Sequence, residues 1–161
     1  MKWSISLLSS AALLAALTLA GCGSTPADTA GPEDTAKQVL TNVYSCDTGD
    51  SDVFEQALAQ SATSETVLAD YVRQRAGDFV TDEGCDTLLG NRVVSRVLTA
   101  WPGTAVQAED VSLTETYTQT ETEAFYSYEL TAVPTTGEEQ TFSGEISLVC
   151  QDGVWYVNSV Q

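Results

Sequence analysis

The chain has 161 residues, a formal charge of −17 from 23 acids against 6 bases, and no histidine. That length fits one ordinary domain with an additional segment, and 43% hydrophobic residues are enough to build a core, which excludes a disordered acidic tail. The charge excludes a nucleic-acid partner, since phosphate binding needs a basic surface. The lack of histidine removes the commonest metal ligand and general base.

At the N-terminus, Lys2 precedes an apolar run from Ile5 to Ala20 that is broken only by Ser and Thr, and no acid occurs before Asp28. A basic start, an apolar centre and small residues at the end are the pattern of an export signal. The run falls short of the roughly 20 apolar residues that a spanning helix needs. Leu19-Ala20-Gly21-Cys22 resembles the lipobox of bacterial lipoproteins, in which an aliphatic residue and two small residues precede the modified cysteine. The resemblance implies cleavage between Gly21 and Cys22, so that residues 1–21 are a signal peptide. It also implies a diacylglycerol-type lipid, with palmitate-like chains, on the Cys22 thiol. The alternative is an ordinary export signal with a chance cysteine. Residues 22–32, rich in Gly, Ser, Thr and Pro, read as a flexible tether.

Removing residues 1–21 takes away one base, Lys2, and no acid, which leaves a mature charge of −18. An anionic leaflet repels such a domain, so the lipid must do the anchoring. Acyl chains contribute about 0.8 kcal/mol per buried methylene, and stable anchoring takes more than one chain. The expected location is the extracytoplasmic face of the cell membrane, on the outer surface or the periplasmic side.

Residues 33–161 read as one α+β domain. Ala36, Val39, Leu40, Val43 and Tyr44 make one helical stripe over residues 33–46. Asp47-Thr48-Gly49-Asp50-Ser51 breaks it. A second helix, capped by Ser51 or Asp52, runs to Gln60 with Val53, Phe54, Ala57 and Leu58 predicted to face inward. A third is expected over residues 64–79, a break at Thr81-Asp82-Glu83-Gly84, and a fourth over residues 86–100, ended by Pro102-Gly103. The hydrophobic period then falls from 3.6 to 2. Val111, Leu113 and Tyr117 mark a first strand, and Tyr126, Tyr128, Leu130 and Ala132 one face of a second over residues 124–133. Phe142, Ile146, Leu148 and Cys150 mark a third strand, over residues 139–150. Asp152-Gly153 is a hairpin signal before a last strand over residues 154–160. Helices first and an antiparallel meander last predict N-terminal helices packed on a curved antiparallel β-sheet.

This order resembles the nuclear-transport-factor-2-like, cystatin-like superfamily. The residues that carry the likeness are Val43-Tyr44-Ser45-Cys46-Asp47-Thr48-Gly49-Asp50, the helix with Phe54, and the closing Asp152-Gly153-Val154-Trp155-Tyr156-Val157. The resemblance implies a cone-shaped sheet with a pocket. It implies no chemistry, because the superfamily includes isomerases, dehydratases and binding modules. Tyr117, Tyr126, Tyr128 and Trp155, with Tyr156, are the pocket candidates, against the plainer reading of core and sheet-face packing.

Export permits a disulfide. Cys46 and Cys85 at helix boundaries are the favoured pair among three pairings, and Cys150 reads as a buried free thiol. No Cys-X-X-Cys spacing exists, which argues against thiol catalysis. Asp47, Asp50 and Asp52 lack the spacing of a calcium loop and read as turn and cap residues. Glu121, Glu123, Glu138 and Glu139 read as loop and edge residues rather than as a catalytic pair. Arg73, Arg75, Arg92 and Arg96 are an anion-site candidate, or pair with acids such as Asp70, Asp78 and Asp86. No metal or cofactor is expected.

Two functions stand. One is a lipid-anchored, non-catalytic module that binds a protein or small molecule. The other is a small isomerase or dehydratase with an acid and a tyrosine in the cone. A homodimer through the open sheet face is a further expectation.

Overall fold

The computed structural model describes residues 30–64 and 66–161. The signal segment, Cys22 and most of the tether lie outside them. Five helices precede four strands: α1 (Pro32–Tyr44), α2 (Asp50–Ser61), α3 (Thr66–Ala76), α4 (Asp82–Gly90), α5 (Val93–Ala100), β1 (Val106–Glu115), β2 (Glu123–Pro134), β3 (Gln140–Gln151) and β4 (Val154–Val160). The strands form one antiparallel sheet in the order β1-β2-β3-β4, and the helices pack on it. The α+β order read from the change of period is therefore the observed one.

Helix α1 starts with Pro32, whose fixed φ suits the first helical position, and carries Glu33 and Asp34 where the helix dipole favours acids. Its stripe of Ala36, Val39, Leu40, Val43 and Tyr44 is buried against β1, β3 and β4. Full burial of a side chain such as Leu40 stabilises by about 1.5–3 kcal/mol. Helix α2 departs from expectation. Val53 and Leu58, predicted to face inward, are 50% and 51% exposed, and only Ala57 of that helix is buried. The reason is position: α2 packs chiefly on α3 rather than on the sheet, so part of its apolar stripe stays at the rim of the helix layer.

Helix α3 ends at Ala76, three residues before the predicted end, because Gly77 takes φ +90°, a left-handed stop that glycine alone adopts cheaply. Phe79 and Thr81 then pair with β4. The Val157 N–H donates to the Phe79 carbonyl at 2.8 Å, and the Thr81 N–H donates to the Val157 carbonyl at 2.9 Å. The segment Thr81–Gly84, read as a break, starts α4 instead. The Thr81 hydroxyl accepts from the Gly84 N–H at 3.0 Å and caps the helix. A Cβ at Gly84 would overlap the Val157 carbonyl, so glycine lets α4 lie against β4. The helix predicted over residues 86–100 is two helices, separated where Arg92 takes φ +55°.

Along β2, Ala124, Tyr126, Tyr128, Leu130 and Ala132 alternate into the core, as a half-buried strand requires. Strand β1 carries a bulge: Ala108 faces Ala132, but Leu113 faces Tyr128, with Asp110 at φ +51° between them. The extra residue switches β1 from even to odd positions on the helix side. A second shift, between Ser147 and Leu148, leaves Asn158 of β4 unpaired.

Candidate functional site

Tyr44 at the end of α1, Tyr128 in the middle of β2 and Arg96 on α5 meet between the helices and the sheet. Arg96 Nη1 donates to the Tyr44 hydroxyl at 3.0 Å. The Tyr44 and Tyr128 hydroxyls are 2.9 Å apart, and the Tyr128 hydroxyl donates to the main-chain oxygen of Gln161 at 3.2 Å. Tyr128 has one proton and gives it to that oxygen, so Tyr44 is the donor of the pair. The chain of donors runs Arg96, Tyr44, Tyr128, Gln161, and every buried hydroxyl in it is satisfied.

The surroundings hold this chain in place. The Tyr44 ring sits 5.1 Å from Phe142, which in turn meets Trp101 edge-on at 6.4 Å. Gly144 lies opposite Tyr128, and a Cβ there would overlap the Tyr128 ring and the main-chain oxygen of Gln161. Burial, and next the Tyr128 hydroxyl, push the Tyr44 phenol well above its ordinary value of 10.0, while Arg96 pulls the other way and loses. Tyr44 therefore stays neutral at physiological pH. Among the described residues no Asp or Glu side chain is hydrogen-bonded to a tyrosine hydroxyl, as the acid partner of an isomerase would be.

The four pocket candidates do not converge. Tyr128 belongs to the buried chain. Tyr126 is buried nearer the start of β2, where its hydroxyl accepts from Gln119 Nε2 at 2.8 Å. Trp155 is partly buried opposite Cys150 on β4. Tyr117, placed by the pattern on the inner face of the first strand, lies beyond the end of β1, is 67% exposed and meets Phe125 edge-on at 5.7 Å. Strand β1 stops at Glu115, and this tyrosine falls in the connection to β2. The depressions that touch Tyr128 and Tyr126 are open ones. The first, about 510 Å³, is lined also by Ser112, Thr114, Ser127, Ser143 and two glutamates, Glu129 and Glu145. The second, about 220 Å³, includes Tyr117 and Phe125.

A second polar knot joins three helices. Arg75, whose side chain is 10% exposed, donates from Nη1 to Asp50 Oδ2 at 2.7 Å and from Nη2 to the Ser45 carbonyl. Asp50 Oδ2 also accepts from the Asp47 N–H at 2.9 Å. Burial disfavours the Asp50 carboxylate, but the Asp47 N–H and the Arg75 guanidinium outweigh it and hold the carboxyl below its ordinary value of 3.8. The aspartate turn thus fastens α1 to α2 and α3. Arg73 pairs with Asp82, so neither of these arginines uses Asp70, Asp78 or Asp86, the partners expected from chain proximity. Arg92 is exposed and has no acid partner among the described residues. Among the same residues no group of three or more acids and cysteines could hold a metal ion.

The expected Cys46–Cys85 bridge is absent. Cys46, Cys85 and Cys150 are free thiols, the first two buried and the third, expected to be buried, partly exposed. Cys46 is paired with Val106 at the β1 edge, whereas Cys85 follows Gly84, which packs on Val157 of β4. The two thiols thus belong to opposite edges of the sheet, and a disulfide needs Cα atoms within about 7 Å.

Among the described residues no helix is long and apolar enough to cross a membrane. No family model, curated protein or solved structure matches the chain. The roles of Tyr44 and Arg96 escaped the sequence reading, which placed one on a helix stripe and the other in an arginine group. The signal that was available is that a tyrosine at the end of an inward stripe must find a partner for its hydroxyl.

Proposed function

We propose that the chain is an exported lipoprotein, acylated on Cys22 and held by that lipid on the extracytoplasmic face of the cell membrane. Its α+β domain serves there as a non-catalytic binding or interaction module. The N-terminal half of the reading rests on Lys2, the apolar run to Ala20 and the sequence Leu19-Ala20-Gly21-Cys22. The likeness to the cone-shaped, cystatin-like superfamily draws support from a four-strand meander with α1 lying on it and two bulges that bend its strands.

The observation that favours a binding module over an isomerase or dehydratase is the filled interior. Tyr44 and Tyr128 bond to each other, to a guanidinium and to a main-chain oxygen, and among the described residues no Asp or Glu side chain is hydrogen-bonded to them. A homodimer through the outer sheet face has less support. Glu129 and Glu145 stand among the hydroxyls of that face, and two mature copies at −18 each repel.

The test of the anchor is Cys22→Ser in the full chain, expressed in a bacterial host. The expected outcome is unprocessed precursor with no incorporation of labelled palmitate. Processing between Gly21 and residue 22, with retention in the membrane fraction despite the missing thiol, overturns the lipoprotein reading.

A further inference from the structure

The apolar stripe that α2 leaves uncovered is one wall of a groove. Phe54 and Leu58 of α2, Leu68 of α3 and Leu89 of α4 form its sides, and Leu88 and Val94 close its floor. Its volume is about 400 Å³, within the range of small-molecule sites. Leu58, half exposed at the mouth, shows that the stripe is open to solvent in the free domain.

The charge of this groove sets it apart. In a chain with 23 acids, its lining among the described residues includes no carboxylate, whereas four other clefts of the surface each contain at least one. The polar residues at its rim are Arg92, Ser95 and Thr99. Arg92 stands at the head of α5 in the left-handed region, uncommon for a residue with a side chain. It is exposed and without an acid partner among the described residues. Arg73 and Arg75, by contrast, are each paired with an aspartate, and Arg96 is used by Tyr44. An unpaired guanidinium beside a carboxylate-free apolar slot is complementary to a molecule with one anionic head and one slender apolar tail.

We propose that the groove between α2, α3, α4 and α5 binds a long-chain fatty carboxylate, with the carboxylate on Arg92 and the tail over Leu88 and Val94. This deepens the binding-module reading and rests on it: a domain tethered to a bilayer meets such amphiphiles at the membrane surface. A slot bounded by four helices suits a single alkyl chain better than a partner helix, which docks by laying a row of anchors into a longer trough.

The experiment uses the acylated full-length protein in nanodiscs. The probe is a long-chain fatty acid with a diazirine on its tail, and adducts are mapped by mass spectrometry. Adducts are expected on peptides containing Phe54 and Leu58 and on those containing Leu88 and Leu89. Arg92→Gln, or the methyl ester of the same probe, should lower that labelling about tenfold, as the loss of one charge-assisted contact predicts. Leu58→Glu should abolish it while leaving the thermal melt in place, because that side chain is half exposed. Labelling spread evenly over the surface, centred on another element, or indifferent to Arg92→Gln overturns the proposal. The mass of the N-terminal peptide in the same spectra reports acylation at Cys22. Its absence would sink the lipoprotein reading and leave the groove result standing, so the two failures are distinguishable.

Discussion

Two regions of this domain are lined by apolar side chains, and they treat their polar groups in opposite ways. Between α1 and the sheet, Leu40, Leu130 and Leu148 are buried, and the hydroxyls of Tyr44 and Tyr128 have partners. Between α2 and α5, the wall is half open at Leu58, and the cation at the rim has no acid partner among the described residues. A satisfied polar network in a closed core rigidifies and specifies a fold. Uncovered apolar surface beside a solvated cation without an ion-pair partner is free energy that an amphiphilic ligand can still release. The expected pocket lies in the interior of the sheet, and the residues direct attention to the helix layer.

The sharpest way to break this contrast is to truncate the closed side. Leu130→Ala removes a side chain that is 1% exposed and should cost about 2–5 kcal/mol, the transfer term plus the cavity it leaves. Denaturant unfolding measures it as a fall in the midpoint with little change in slope. A cost below about 1 kcal/mol would mean that the core collapses into the gap, and the interior would no longer count as rigidly filled.

Next in size is the tyrosine chain. Tyr44→Phe keeps the ring against Phe142 but leaves the Tyr128 oxygen and one Arg96 N–H without their partner, for about 1–3 kcal/mol. Alkaline pH tests the same feature without a mutation. Burial raises the phenols of Tyr44, Tyr71 and Tyr126 above their ordinary 10.0 and the thiols of Cys46 and Cys85 above their ordinary 9.0. Above those values the unfolded chain gives up protons that the folded chain keeps, so stability is full below pH 9 and falls as pH climbs past 9 and then 10. Tyr44→Phe removes one of these groups and should flatten the fall. Stability that stays level across that range would show that these groups titrate alike in both states.

Much of the fold was legible because it is written in local periods. The alternation Ala124, Tyr126, Tyr128, Leu130, Ala132 and the stripe Ala36, Val39, Leu40, Val43, Tyr44 each match the element that forms. Gly90-Asn91 is a helix-stop signal that a longer apolar stripe masked. The bulge at Asp110 had no clear local signature, and it is what decides which side of β1 faces the helices. Of the candidate site, Tyr128, Arg75 and Arg96 were singled out but not their partners, since Arg96 meets Tyr44 across 52 positions and Arg75 meets Asp50 across 25. Such pairs are products of packing. The Cys46–Cys85 pairing failed for the same reason: both cysteines sit at helix ends in sequence, but the sheet sets those ends on different edges.

The smallest expected effect is the most discriminating for the open side. Leu58 lies on the same sequence stripe as the buried Ala57, and a reading from periodicity alone would assign its replacement a core-sized cost. At 51% exposure, Leu58→Ser should instead change stability by about 0.5 kcal/mol or less, measured on the full chain by denaturant unfolding. Serine there would also remove one apolar wall of the groove, so a fatty carboxylate that raises the melting temperature of the unmutated protein should raise that of the variant less. A cost above about 1 kcal/mol without ligand would mean that Leu58 is already covered in the free protein, by a second copy or by another stretch of the same chain. That cover would have to leave before any amphiphile could bind, and the contrast between a closed interior and an open helix layer would become a contrast between a permanent core and a displaceable one.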